Sequence, residues 1–300
     1  MRRRRARLCH WLLGSCVCAS LAASEVRADA DAVAWKPEWP KVQAFEYIAT
    51  GVFAVTAVSV ALTVDPRSSG TRDAWLFDAP LRDLVRARTR QGRDRARVVG
   101  DLGYRVLLIY PFLDALVTPW AIHGNAEVAW QMFAIDAEAL AFAGMLGLLA
   151  DHLIGRARPS ELPCRKDADY EAFCGEADAY GSFFSGHSAI AAAGAGLTCA
   201  HHLNLPLYGG GAQEIAVCAA ASALAVTTGI ARMANDRHWA TDVTTGLLIG
   251  GLTGYLVPTL LHYRGAARSE ATTAAQQRAF VRFIPLITST GVSGMLLGRY

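Results

Sequence analysis

The sequence predicts an all-α protein, a multi-span transmembrane helical bundle. Hydrophobic residues make up 53% of its 300 residues and charged residues only 18%, with a mean hydropathy of +0.24. Soluble globular proteins carry about 25% charged residues. Several apolar runs also reach the length of about 20 residues that a helix needs to cross a bilayer. These observations favour one helical membrane domain over two soluble domains.

The N-terminus, residues 1–30, is predicted to be a secretory signal peptide. Residues 2–7 form a basic n-region, residues 8–23 are apolar, and Ala-Asp-Ala at 28–30 resembles a small-x-small cleavage site. The alternative is an uncleaved membrane anchor.

Residues 31–97 are predicted to contain a lead-in with Trp35 and Trp39, the first span over 42–64, and an Arg-rich segment. From 65 to 97 the chain has nine Arg and five Asp. Part of this segment has apolar residues at helical spacing, which predicts an amphipathic helix on the membrane surface. These residues are Leu76, Phe77, Leu81, Leu84 and Val85. No basic run is interleaved with aromatic residues, so nucleic-acid binding is not predicted.

Residues 98–262 are predicted to form the catalytic helical bundle, with five further spans. These spans are 98–122, 128–154, 185–203, 214–233 and 238–261. Asp114, Asp136 and Glu138 lie inside them, and carboxylates in lipid either mark function or form hydrogen bonds between helices. Glycines at 246, 250 and 254 would let helix backbones pack closely.

The C-terminal tail and the remaining Cys and His residues say less about function. Residues 263–300 form a C-terminal tail, in which two apolar pieces are interpreted as a β-hairpin. Cys164 and Cys174 share one polar loop and would pair in an oxidising compartment. Cys199 and Cys218 lie in apolar helices and are interpreted as packing residues, and the pair His201 and His202 as membrane-interface residues.

Three motifs with ionisable residues lie at the ends of the apolar runs. In the third motif, His238 and Asp242 are four residues apart, so on a helix they share a face, and a carboxylate can hold one imidazole nitrogen protonated. Arg232 lies shortly before His238 in the sequence, and its guanidinium could bind an oxyanion with two parallel hydrogen bonds. Alone, this spacing is more often a structural hydrogen bond.

The other two motifs add a helix start and a helix end. Ser185 suits an N-cap, and Gly186 would let an anion approach the exposed N–H groups, with His187 in the first turn. The first motif, Arg156-Ala-Arg158-Pro, closes an apolar run and leaves two guanidinium groups at its edge. Each also fits an ordinary helix end.

Together, Arg-x-Arg-Pro, Ser-Gly-His and Arg-x5-His-x3-Asp resemble the type 2 phosphatidic acid phosphatase family, which shares its site with the vanadium haloperoxidases. The resemblance covers roughly residues 100 to 260. It implies that His238 is a nucleophile forming a phosphohistidine, that Asp242 orients it, and that His187 protonates the leaving oxygen. It implies a bundle of this family's type, with no metal and no cofactor. The implied phosphate-binding residues are Arg158, Ser185, Gly186 and Arg232.

The sequence departs from the family pattern at three positions. Asp151 replaces a Lys that normally lies seven residues before the second Arg of the first motif, while Phe184 and Ala231 replace a Pro and a Ser. Asp151 puts an anion where a phosphate-binding cation is expected, and it would pair with a neighbouring Arg or with His152. Arg156 or Lys166 would then be needed to supply the missing charge.

The expected function is hydrolysis of a phosphate monoester or pyrophosphate on a lipid by a metal-independent membrane phosphatase. The alternatives are a degenerate relative that binds phospholipid or a partner without turnover, and a haloperoxidase-like protein holding vanadate. The expected partners are a lipid phosphate and the membrane, with the oligomeric state open.

The expected location is a bacterial-type inner membrane, with the active site facing the periplasm. The loop with Cys164 and Cys174 favours that face. A cleaved signal peptide and the Arg-rich segment, by the positive-inside rule, favour the cytoplasmic face.

Overall fold

A computed structural model describes residues 33–172, 174–175, 177–264, 280–288 and 291–299. The signal peptide predicted over residues 1–30 lies outside the described residues. The polar segment 265–278 at the start of the predicted tail also lies outside them.

Helices dominate the described chain. They are α1 Ala44–Thr63, α2 Asp78–Val85, α3 Arg90–Ala115, α4 Ala126–Leu153, α5 Glu161–Lys166, α6 Gly186–His202, α7 Ala212–Ala234, α8 Ala240–Gly251 and α9 Val257–His262. A π-helical segment, Leu116–Ile122, extends α3, and a second, Leu252–Leu256, joins α8 to α9. The predicted all-α, multi-span bundle is therefore confirmed.

Side-chain caps help to set where these helices begin. The Thr89 hydroxyl accepts a hydrogen bond from the N–H of Gly92 at the start of α3. Asn125 accepts one from the N–H of Val128 at the start of α4. Each cap satisfies a backbone donor that the first helical turn leaves without a partner.

Five described helical segments are long and apolar enough to cross a membrane: Ala44–Thr63, Arg90–Ile122, Ala126–Leu153, Ala212–Ala234 and Ala240–His262. The predicted span 185–203 corresponds to α6, which has only 17 residues and is buried from Ser188 to its end. It packs against α3, α4, α7 and α8, so protein surrounds it in place of lipid.

Glycines let α8 and its π-helical extension approach α6 closely, as the sequence predicts. A Cβ added at Gly250 would lie 2.1 Å from the backbone oxygen of Ala189, and one added at Gly254 would lie 2.0 Å from that of Ala193. Gly246 makes a similar approach to the α6 N-terminus. Because no side chain fits in these gaps, the stripe brings two helix backbones into direct contact.

Carboxylates inside the bundle form hydrogen bonds between helices. The His202 ring lies between Asp114, 3.1 Å from Nε2, and Glu214, 2.5 Å from Nδ1. Since both nitrogens face carboxylates, both donate. The neighbouring His201 contacts Asp136 at 2.9 Å. Both imidazoles are almost fully buried, so the prediction that they lie in the membrane interface is wrong.

Two disulfides cross-link the described chain. Cys164 and Cys174 are bonded within the polar loop, as predicted for an oxidising compartment. Cys199 and Cys218 are also bonded, which joins α6 to α7. The interpretation of this second pair as simple packing residues is wrong, because facing helices bring two distant thiols together.

The two segments outside the bundle core are short. The amphipathic segment forms only the two turns of α2, in which Leu84 is 78% exposed, while Leu76, 89% exposed, precedes the helix. Its position on the membrane surface stays a prediction. In the tail, strand β1 (Phe280–Thr288) pairs antiparallel with β2 (Gly291–Arg299), where the sequence analysis expects a hairpin.

The contact between α6 and α8 generates a stability prediction. Gly250→Ala should destabilise the protein by about 1–3 kcal/mol, because the added methyl forces two backbones apart. Gly251→Ala is the matched control, since a Cβ there meets no atom within 4 Å. Thermal unfolding in detergent measures both, and equal midpoints for the two variants would contradict the close contact.

Candidate active site

The three motifs meet at one end of the bundle, as the sequence predicts. The guanidinium of Arg158 lies 3.3 Å from Nε2 of His238, and the N–H of Ser185 donates to the carbonyl of Asp242 at 3.1 Å. A cavity of about 570 Å³ opens beside them. Charged and imidazole groups that line it include Arg97, Asp101, Arg158, His187, Arg232 and His238.

His238 lies in the short turn between α7 and α8. Asp236 bends this turn with a φ of +62°, a left-handed conformation that is uncommon outside glycine. Two hydrogen bonds from Arg82, at 2.7 and 2.6 Å, and one from the Tyr170 hydroxyl, at 2.7 Å, hold its buried carboxylate. The bidentate pair connects α2 to the turn, so α2 helps to position the imidazole.

The two nitrogens of His238 have different partners. Nδ1 lies 2.8 Å from the carbonyl of Ser182, which can only accept, so Nδ1 carries the hydrogen. Nε2 therefore keeps its lone pair, which accepts from Arg158 Nη1 at 3.3 Å at the edge of the cavity. Burial, and then the charges of Arg158 and Arg232, lower the pKa of His238 well below its ordinary value. The imidazole is thus neutral, as a nucleophile must be.

Asp242 acts on His238 indirectly, which corrects the expectation that it orients the ring itself. Its Oδ2 lies 4.0 Å from Nδ1, beyond hydrogen-bond distance. The same oxygen accepts from the Ser182 hydroxyl at 2.6 Å and from the N–H of Trp239 at 2.9 Å. Asp242 therefore fixes Ser182, whose carbonyl in turn holds the ring.

Arg156 is fully buried beneath the cavity and does not line it. It pairs with Asp242 and with Asp78, and its guanidinium lies 3.7 Å from the centre of the Trp75 ring. Lys166 is exposed and also lies outside the cavity lining. Neither residue supplies the positive charge that a Lys at position 151 would bring.

Arg158 and Arg237 both line the cavity and share one carboxylate, that of Asp178. Asp178 accepts from Arg158 at 2.7 Å and from Arg237 at 2.6 Å. Burial alone would raise the pKa of Asp178, but these two charges outweigh it and lower the pKa. The sequence analysis does not single out Arg237, although its place directly before His238 is a signal that could have identified it.

His187 and Arg232 both contact Asp101, an α3 residue outside the motifs. Nε2 of His187 lies 3.3 Å from Asp101 Oδ1, and Nη1 of Arg232 donates to the same oxygen at 3.2 Å. The His187 ring also packs against Tyr104. The sequence carries no signal for Asp101 or Tyr104, because only folding brings α3 to the motifs.

The N-terminus of α6 faces the cavity through its backbone. A Cβ added at Gly186 would meet no atom within 4 Å, so a ligand can approach there. The Ser185 hydroxyl accepts hydrogen bonds from the N–H and the hydroxyl of Ser188, and Ser185 is fully buried. The Ser185 side chain is a helix cap, as the sequence predicts, and it does not line the cavity. Its expected part in phosphate binding stays a prediction.

Asp151 lines the cavity from the last turn of α4. Its Oδ1 lies 3.7 Å from Arg158 Nη2, and its Oδ2 lies 3.9 Å from His152 Nδ1. The expected pairing with a neighbouring Arg is therefore confirmed for Arg158, while a pairing with His152 would require a protonated His152. A Cβ at Gly181 would lie 2.3 Å from the carboxylate, so the loop packs directly on it.

A buried neutral imidazole, a helix N-terminus and clustered arginines at the end of membrane-spanning helices define a membrane protein with a phosphatase-type site. Residues 135–266 match the model of the PAP2 superfamily. This match supports the resemblance to the type 2 phosphatidic acid phosphatases that the three motifs indicate.

One solved structure among those similar to the chain is "the first transmembrane PAP2 type phosphatidylglycerolphosphate phosphatase from Bacillus subtilis". It is 20% identical, with a TM-score of 0.45, and the similarity covers 72% of this chain and 92% of that one. No curated protein matches the chain.

The Arg82–Asp236 pair generates a prediction about turnover. Arg82→Lys removes the two parallel hydrogen bonds that hold the His238 turn, so turnover should fall by about 10- to 100-fold through misplacement of the ring. Arg88→Lys, at an exposed position near the end of the same helix, is the control. Phosphate release from a lipid phosphate measures both, and unchanged turnover in Arg82→Lys would show that the pair does not position His238.

Proposed function

We propose that the protein is a metal-independent membrane phosphatase that hydrolyses a lipid-linked phosphate monoester or pyrophosphate through a phosphohistidine. One observation carries this proposal. The His238 ring is neutral, and its Nε2 faces the cavity 3.3 Å from the Arg158 guanidinium. Its Nδ1–H donates to the Ser182 carbonyl. A nucleophile beside an oxyanion-binding group is what phosphoryl transfer requires.

In the first step, His238 Nε2 attacks phosphorus and the bond to the lipid oxygen breaks. Arg158 and Arg232 stabilise the charge on the phosphoryl oxygens, with the N–H groups at the start of α6. His187 gives its proton to the leaving oxygen and stays close to Asp101. Nδ1–H continues to donate to the Ser182 carbonyl, which stabilises the positive charge on the phosphorylated ring.

In the second step, water attacks the phosphohistidine and the P–N bond breaks. His187, now neutral, accepts a proton from that water, so phosphate leaves and both imidazoles return to their starting states. Arg237 and Asp178 hold Arg158 in place through both steps.

The cavity walls support a lipid as the carrier of the phosphate. Ala143 and Gly144 of α4 and Ile190 of α6 line the cavity together with the charged groups. These apolar positions belong to helices inside the bundle, below the polar end that holds His238. A headgroup would thus lie among the arginines while its tail extends toward the lipid.

The division of roles between the histidines is testable. His238→Ala should abolish turnover of every substrate, because the nucleophile is lost. His187→Ala should retain turnover only of substrates with good leaving groups, since a weakly basic oxygen leaves without a proton. Rates with aryl and alkyl phosphates distinguish the roles, and an equal loss in both variants for both substrates would refute the assignment.

Asp151 favours a second candidate function, a family member that binds phospholipid or a partner without turnover. Its carboxylate lies beside Arg158, where it weakens the attraction for phosphate. Asp101 and Asp178 also pair with cavity arginines. A substrate phosphate would have to compete with three carboxylates.

Asp151→Lys separates the two candidates. If the protein is a phosphatase, this change should tighten substrate binding and alter the maximal rate by less than about tenfold, or about 1.4 kcal/mol of barrier. Asp65→Lys makes the same charge change at an exposed position outside the cavity and is the control. No turnover in the natural protein, with turnover appearing in Asp151→Lys, would support the binding protein. If the natural protein is active and Asp151→Lys inactivates it, the binding protein is excluded and Asp151 has its own role in the phosphatase site.

We also propose that this site faces the periplasm of a bacterial-type inner membrane. The Cys164–Cys174 disulfide supports this proposal, because its loop lies at the site's end of the bundle. A membrane-impermeant thiol reagent should therefore label Asp169→Cys in intact spheroplasts. It should label Gln213→Cys, at the opposite end, only after lysis. The reverse pattern would place the site in the cytoplasm, as the Arg-rich segment favours.

A further inference from the structure

Three ionisable side chains converge away from the phosphatase cavity, toward the other end of the bundle. They are Glu46 of α1, Glu138 of α4 and His262 of α9. One ligand atom from each lies within 4.8 Å of the others. Glu46 is 4% exposed and His262 is 3% exposed, whereas Glu138 is only partly buried.

The hydrogen bonding of His262 indicates that a cation belongs at this cluster. Nδ1 lies 3.3 Å from the carbonyl of Pro40, which can only accept, so Nδ1 carries a hydrogen. Nε2 then lies 3.3 Å from a carboxylate oxygen of Glu46. In neutral imidazole Nε2 has a lone pair, and two acceptors at this distance repel each other. A proton or a metal ion between them removes the repulsion.

Glu138 adds a second carboxylate to the cluster. Its carboxylate makes no hydrogen bond or ion pair with any residue in the described part of the chain, although it lies beside Glu46 inside a membrane-spanning helix. Without a metal ion, two protons would be needed to balance the cluster, one on His262 and one on Glu138. A divalent cation balances both carboxylates, and uncompensated charge inside a membrane is costly.

We propose that Glu46, Glu138 and His262 bind a divalent transition-metal ion, with Zn²⁺ the best match. One imidazole nitrogen and two carboxylate oxygens suit zinc, whereas Ca²⁺ and Mg²⁺ favour six or more oxygen ligands. A Nδ1–H that donates to a backbone carbonyl is the usual partner of a metal-bound Nε2. The adjoining cavity of about 180 Å³, lined by Glu138 and His262, leaves room for a water as fourth ligand.

The three ligands come from three separate helices, so the ion would hold α1 and α9 against α4. Metal bound only to the folded state stabilises that state by mass action. The ion would be remote from His238, which lies at the other end of the bundle. Removing it should therefore lower thermal stability and leave phosphatase turnover unchanged. This inference does not depend on the proposed phosphatase activity.

Metal binding by the full-length protein in detergent tests the proposal. After treatment with EDTA and removal of the chelator, the protein should bind one equivalent of Zn²⁺ in calorimetry, and its unfolding midpoint should rise by several degrees. Co²⁺ in the same site should give the visible spectrum of a four-coordinate ion. Mg²⁺ and Ca²⁺ should produce neither effect.

Glu138→Gln and His262→Gln should each weaken Zn²⁺ binding by at least tenfold and remove the rise in midpoint. His123→Gln, at an exposed position at the same end of the bundle, is the matched control and should bind as the natural protein does. If His262→Gln does not fold, Glu138→Gln alone decides. The absence of stoichiometric Zn²⁺ binding, or equal binding by Glu138→Gln, would overturn the proposal and leave a protonated His262 paired with Glu46.

Discussion

The active-site end of the bundle depends on the buried guanidinium of Arg156. It pairs with Asp78 at the start of α2 and with Asp242 in the first turn of α8, while its own backbone follows α4. All three side chains are fully shielded from water. Removing one partner would leave a buried charge uncompensated, at a cost of about 3–5 kcal/mol. This one pairing therefore fixes three helices relative to each other.

The same pairing determines how His238 is held. Because Arg156, Ser182 and the N–H of Trp239 occupy the Asp242 carboxylate, the imidazole donates to a backbone carbonyl. That arrangement leaves the ring neutral, with a depressed pKa and a lone pair directed at the cavity. An apparent His–Asp pair in the sequence thus acts through Ser182, in the loop that precedes α6.

The charged side chains inside the bundle form two groups that differ in their access to water. At one end, the cavity arginines pair with carboxylates that a phosphate could replace, and the arginine charges hold the pKa of Asp178 low. Toward the other end, His202 and its two carboxylates are closed off from water and join α3, α6 and α7. Buried charges of this second kind serve helix packing, because lipid offers no other partner.

The sequence by itself determined the fold class, the caps, the glycine stripe of α8 and the three motifs, since hydrophobic runs and residue spacing act locally along a helix. It could not show that Arg156 would be buried or that α6 would be surrounded by protein. Asp101, Asp178 and the Cys199–Cys218 bond depend on contacts between segments far apart in the chain. Only tertiary packing decides such contacts, because a side chain's partners depend on which helix faces lie together.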